Sequence, residues 1–195
     1  MTKGETKMSK ILGISGTQRI NGNSELLLKH SLIPFEEKGF ETKHIKLSEV
    51  TVNPCKGCEA CSNNGGVCVI DDDMKNIYEA FRWCDGIIIS SPVYSRNICS
   101  QLLAVLDRHY ALKDERPLEG KLGGAIAVGR GAGQAITINA IYNWMLSSGV
   151  ICVPGELNGV TATASEPNDV LKQKQTLNQA RILGENILNL INKLG

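Results

Sequence analysis

An α/β chain whose parallel sheet is covered by helices on both faces is predicted by three observations. Strand-like apolar runs alternate with segments of helical period. Five such runs can be counted. The 195 residues hold no internal repeat, low-complexity tract or long linker, so a single domain with one substantial core is expected.

The elements follow in order. The first eight residues are polar and lack the apolar core of a signal peptide; they are expected to be a disordered extension, with Met8 an equally good start. One domain then spans 9–195. A strand is predicted over 10–14, a helix over 24–37 and a second strand over 41–46. After a cysteine-rich insertion, Met74, Ile77, Tyr78 and Phe81 recur at helical spacing and predict a helix over 74–83. Strands over 86–90, 121–128 and 150–157 alternate with helices over 98–111 and 134–147. Ala180, Leu183, Ile187, Leu190, Ile191 and Leu194 mark the core face of a last helix over 168–194. Ile98, Leu102, Val105 and Leu106 form an apolar face that suits either core or a subunit interface.

Composition narrows the function classes. A net charge of +1 gives no electrostatic reason to expect nucleic acid as a partner, and no apolar run reaches the length of a membrane span. A cytoplasmic protein is expected. In that compartment seven cysteines are better read as reduced thiols than as disulfides, and the odd number agrees.

Four of those cysteines, Cys55, Cys58, Cys61 and Cys68, lie within fourteen residues as C-x2-C-x2-C-x6-C, in a loop over 54–70. Thiolates are the soft ligands that hold iron-sulfur clusters and zinc. Asn63-Asn64-Gly65-Gly66 tolerates positive φ and lets the chain fold back, which favours one self-contained site. A [4Fe–4S] cluster, free or redox-active thiols, and zinc all compete for this window. Zinc more often uses two C-x2-C pairs set far apart. Cys84, Cys99 and Cys152 fall in strand or helix patterns and read as small buried hydrophobes. Asp71-Asp72-Asp73, which could attract a hard cation, reads as the N-terminal cap of the helix that follows. His30, His44 and His109 are scattered and carry no catalytic assignment.

Between the first strand and the first helix lies a turn of hydroxyl, amide and glycine residues, with Ser15, Thr17, Gln18, Arg19, Asn21, Asn23 and Ser24 as candidate ligands. Such a turn aims backbone N–H groups and a helix N-terminus at a phosphate. It lacks both the G-x-G-x-x-G of a dinucleotide fold and the G-K-[ST] of a P-loop, so a monophosphate suits it better. A plain turn and helix cap without ligand is the alternative. Two further loops at strand carboxyl ends, one with Pro92, Val93, Tyr94 and Ser95 and one with Gly129, Arg130 and Gly131, would meet a flat ring there. Arg130 would sit where it can stabilise negative charge on a reduced isoalloxazine.

The run Ser15-Gly16-Thr17-Gln18-Arg19-Ile20-Asn21-Gly22-Asn23-Ser24, the Ser91-Pro92-Val93-Tyr94 motif, the Gln101–Arg108 run and the acidic stretch after Cys68 resemble the flavodoxin-like NADPH-dependent FMN reductases. With the four-cysteine run, the chain resembles one branch in particular, the iron-sulfur flavoproteins. The resemblance covers nearly the whole chain from Ser9. It implies a three-layer sandwich with a five-stranded sheet in order 2-1-3-4-5, bound FMN, one [4Fe–4S] cluster on the four cysteines, and a tetramer of paired dimers. It places the FMN phosphate near Ser15, Thr17, Arg19, Asn23 and Ser24 and the ring against Pro92, Val93, Tyr94 and Ser95. The chain departs from the family pattern at Gln18, where proline is usual, and at Ile20, often lysine. The implied function is electron transfer between a donor, ferredoxin or NAD(P)H, and a small-molecule acceptor. A cluster-free FMN or quinone reductase and a non-enzymatic electron carrier or redox sensor remain the alternatives.

Overall fold

The computed structural model describes residues 10–194. The expected N-terminal extension therefore lies outside the described residues. β1 (Lys10–Ser15) pairs in parallel with β2 (Glu41–Lys46) on one side and with β3 (Gly86–Tyr94) on the other, and β3 pairs in parallel with β5 (Leu122–Gly129). Helices α1 (Asn23–Glu37) and α6 (Lys174–Leu194) cover one face. Helices α3 (Met74–Trp83), α4 (Ser100–Arg108) and α5 (Gln134–Ser147) cover the other. The period of two along each strand divides the core between them. Ile11, Ile88 and Ile126 pack with Leu28, Leu183 and Ile187, while Leu12, Ile87, Ile89 and Ala125 pack with Met74, Phe81, Leu102 and Ile138.

The sheet differs from the five strands in order 2-1-3-4-5 that the resemblance implies. Among the described residues seven strands are present, and the path runs β2-β1-β3-β5-β6. The predicted strand over 150–157 pairs with β5 only at β6 (Ile151–Cys152). Pro154 has no N–H to donate, and the chain turns out there, closed by the Gly155 N–H on the Asn158 carbonyl. It returns to the same flank of β5 as β7 (Val160–Thr163). The edge position is thus filled by two short strands in series. The remaining extra strand, β4 (Asn97–Ile98), doubles back on the end of β3 through Ser95 and Arg96, whose φ values of 48° and 63° make a hairpin turn with both central residues left-handed.

The predicted helices over 74–83 and 134–147 coincide with α3 and α5. The helix predicted over 98–111 is α4 followed by a 3-10 turn, His109–Leu112; that over 168–194 is a 3-10 turn, Asp169–Lys172, and then α6. Ile98, Leu102, Val105 and Leu106 are buried within the chain, so that face is core. None of the helices among the described residues is long and apolar enough to cross a membrane.

Candidate functional site

The carboxyl ends of β1, β3 and β5 open onto one cleft of about 520 Å³. Its floor on one side is the turn between β1 and α1. The N-cap position of α1 is Gly22, which offers no side-chain acceptor, so the first-turn N–H groups of the helix are without a cap. Ser24 is buried, lines the cleft, and its Oγ has no hydrogen-bond partner among the described residues. An uncapped helix N-terminus beside an unsatisfied buried hydroxyl is the donor set that a phosphate completes. Thr17, equally buried, lines the same end and braces the turn by accepting the Arg19 N–H on Oγ1 at 3.2 Å.

The long walls come from Pro92, Val93, Tyr94 and Ser95 and from Gly129, Arg130 and Gly131, all of which line the cleft. Gly133, at φ 107°, lets the second wall close on the first: a Cβ there would lie 2.6 Å from the Arg96 Cα. Arg19, Arg96 and Arg130 all line this cleft, and among the described residues no carboxylate does. In a chain of net charge +1 that local excess selects for an anionic ligand.

Three predicted phosphate ligands lie elsewhere. Ser15 is fully buried beneath the turn. Gln18 points the other way and donates to the Leu47 carbonyl at 2.8 Å. Asn21 accepts from Lys29 Nζ at 3.1 Å. Asn23 lines the cleft, but its amide is engaged: it donates to the Glu166 carbonyl at 2.9 Å and accepts the Val170 N–H at 3.3 Å. It thereby brings Ala164 and Ser165 in as a further wall, which was not predicted. Arg96 was also missed, although it stands within the predicted loop after β3. The arginine directly after a Tyr-Ser turn was the available signal.

The cysteine loop leaves the chain after β2 and includes the one-turn helix α2 (Ala60–Asn63). The expected chain reversal is present, with Gly65 and Gly66 at φ 73° and 87° and the Gly66 N–H on the Cys61 carbonyl at 2.9 Å. Cys55 and Cys58 are exposed, whereas Cys61 and Cys68 rest against the core. Burial pushes the Cys84 thiol up to about 11 and raises Cys99 and Cys152 as well, so those three stay protonated and unreactive at neutral pH. In chemistry the loop fits a thiolate-ligated group: four soft donors on an irregular segment that the fold anchors at both ends. In geometry it is open. Among the described residues, no three His, Cys, Asp or Glu side chains are gathered to hold a metal ion.

The acidic stretch that follows does more than cap α3. Asp72 Oδ1 accepts the Met74 N–H at 3.1 Å, as a cap would. Asp73 instead accepts the Thr51 N–H at 2.8 Å, and Asp72 Oδ2 accepts the Asn53 N–H at 2.9 Å, so both carboxylates tie the loop's outgoing end to its incoming one. His109, one of the three scattered histidines, is wedged between Phe81 and Trp144 with ring centroids 5.5 and 5.1 Å away, and burial pushes its pKa down to about 4.

Comparison with known proteins agrees with this fold. Residues 9–164 match the model of the NADPH-dependent FMN reductase family. An iron-sulfur flavoprotein of Methanosarcina thermophila is 40% identical over 189 residues, covering 94% of this chain and 97% of the relative. Among solved structures, RosB with a bound 8-demethyl-8-formylriboflavin-5'-phosphate intermediate superposes with a TM-score of 0.76 at 16% identity, over 95% of this chain and 80% of RosB. A WrbA-like flavodoxin from Agrobacterium tumefaciens gives 0.65 at 13% identity, over 95% and 98% of the two chains, which shows a shared fold. The chain is therefore a flavin-dependent oxidoreductase of flavodoxin-like fold, and it belongs to the iron-sulfur flavoproteins within the NADPH-dependent FMN reductase family.

Proposed function

We propose that the cleft holds FMN and the cysteine loop a [4Fe–4S] cluster, and that the protein moves electrons between ferredoxin or NAD(P)H and a small acceptor in the cytoplasm. The observation that carries the flavin reading is the uncapped N-terminus of α1 beside the unpaired Ser24 hydroxyl, at the end of a cleft lined by three arginines. Thr17, Arg19 and Ser24 would hold the phosphate. Pro92, Val93, Tyr94 and Ser95 would flank the ring on one side and Gly129, Arg130 and Gly131 on the other, with Arg130 placed to balance charge on its polar edge. Val93 and Ala132 line the same space and would shield a bound ring from water.

Cys55, Cys58, Cys61 and Cys68 would hold the cluster. Bound FMN exchanges electrons in pairs or singly and a cluster singly, so together they supply conversion between two-electron and one-electron chemistry. No acid-base triad is required of the chain. Arg96 and Arg130 at the cleft leave room for an anionic donor such as NAD(P)H to approach the same face. Anaerobic purification followed by iron, sulfide and FMN analysis tests the reading, with about four irons and one flavin per chain expected. Turnover with NAD(P)H or reduced ferredoxin across a panel of quinones, oxygen and peroxide then assigns donor and acceptor.

The open arrangement of the four thiols favours a second reading, an FMN or quinone reductase without a cluster. Iron content near zero in an anaerobic preparation, with NAD(P)H turnover intact, would select it. A homo-oligomer, dimer or tetramer, is proposed with either reading, and light scattering of the FMN-loaded protein measures it.

A further inference from the structure

The Arg108 side chain is 1% exposed and that of its partner Asp72 is 3% exposed, yet neither lies in the flavin cleft. Taking both ions out of water is expensive, and a buried pair of this kind is a weak source of stability. Its retention asks for a positional reason. The guanidinium supplies one. Nη1 donates to Asp72 Oδ2 and to the Asn53 carbonyl at 3.2 Å, while Nη2 donates to Cys68 Sγ at 3.4 Å and to the Ile70 carbonyl at 3.3 Å. Asn53 stands two residues before the first cysteine of the loop, and Cys68 is the last. One planar fork thus holds both ends of the cysteine loop and touches one of its sulfurs.

We propose that Arg108 is the positioning residue of the cysteine loop: it closes the neck at Asn53 and Ile70, sets the Cys68 sulfur for ligation and donates a hydrogen bond to that sulfur in the loaded protein. The proposal rests on the cluster reading above and deepens it. The geometry is specific to arginine, because four acceptors in two directions need a forked donor, and a lysine ammonium can satisfy Asp72 without reaching the others. Asp72 in turn fixes the guanidinium, since its own oxygens are held by the N–H groups of Asn53 and Met74. The Tyr78 hydroxyl, donating to the Arg108 carbonyl at 2.9 Å, anchors the end of α4 to α3 so that the fork starts from a fixed backbone. Hydrogen bonds to ligating sulfurs favour the reduced, more negative state of a cluster, so this contact is expected to make the potential less negative.

The test compares unsubstituted chain, Arg108→Lys and Asp72→Asn, each full length, FMN-loaded and reconstituted anaerobically with iron and sulfide. Arg108→Lys keeps the charge opposite Asp72, and Asp72→Asn keeps its shape if the first variant does not fold. FMN stoichiometry reports folding. Both variants are expected to retain at most half the iron of the unsubstituted chain, and the cluster remaining in Arg108→Lys to titrate at a more negative potential. A chain that takes up no iron before any substitution overturns the cluster reading, and this proposal with it. A chain that loads fully while both variants match it in iron and potential overturns the role of Arg108 alone.

Discussion

Arg130 stands exposed on the loop that follows β5, on the cleft wall opposite Val93 and Tyr94. With FMN in the cleft as proposed, a cation there would stabilise negative charge on the reduced flavin more than on the oxidised one, so removing it should make reduction harder. Arg130→Gln is expected to shift the FMN midpoint to a more negative value by some tens of millivolts, read by spectroelectrochemical titration; an unchanged midpoint would remove Arg130 from the ring's polar edge. His109 makes a prediction of a different kind. Its folded pKa of about 4 lies below the ordinary 6.5, so between those values the unfolded chain holds more protons than the folded one. The contribution to stability is complete above pH 6.5 and is lost as pH falls toward 4. Urea unfolding at pH 5 should show about 2 kcal/mol less stability from this group than at pH 7, and His109→Phe, which fits between Phe81 and Trp144, should flatten that part of the pH dependence.

At the scale of elements, α1 and α6 cross where Gly184 faces the Ser31 carbonyl and the Pro34 ring, and a Cβ at that position would collide with backbone rather than with a movable side chain. Gly184→Ala is expected to destabilise the chain by about 2 kcal/mol, seen as a Tm lower by roughly 4–8 °C for a chain of this size. An unchanged Tm would mean that the two helices slide apart freely. The contrast between legible and illegible elements has the same physical root. α3 and α5 are fixed by local period, because Met74, Ile77 and Phe81 must share one face whatever packs against them. The run over 150–157 has the β-branched composition of a strand, but whether β5 is paired continuously depends on Pro154 and on where the chain returns, and neither is local information. In the cleft, the loops after β1, β3 and β5 were readable because each follows a strand and carries turn residues. The wall at Ala164 and Ser165 was not, since it is held by Asn23 across 143 residues. Arg108 likewise looks like an ordinary helical residue until tertiary structure sets it beside Cys68 and Asp72.

Across the whole molecule, the cysteine loop and the cleft proposed for the flavin are built on different supports. The cleft rests on three central strands and the helices that follow them, whereas the loop lends the core only the partly buried Cys61 and Cys68 and is tied on through Thr51, Asn53, Asp72, Asp73 and Arg108. Both hydrophobic clusters are built from strand and helix side chains, with Cys61 and Cys68 only packed against the edge of one of them, unlike small metal-dependent domains whose cores form around the ion. Removing iron with a chelator under reducing conditions should therefore leave far-UV circular dichroism and FMN stoichiometry unchanged and thermal unfolding still a single cooperative transition. With the cluster bound as proposed, the local effect should be confined to the loop, where protease cleavage between residues 54 and 70 is expected to accelerate severalfold once the sulfurs no longer share it. Release of FMN on iron removal would contradict this separation, because it would require the loop to support the turn at Ser24, which α1 and β1 already hold in place.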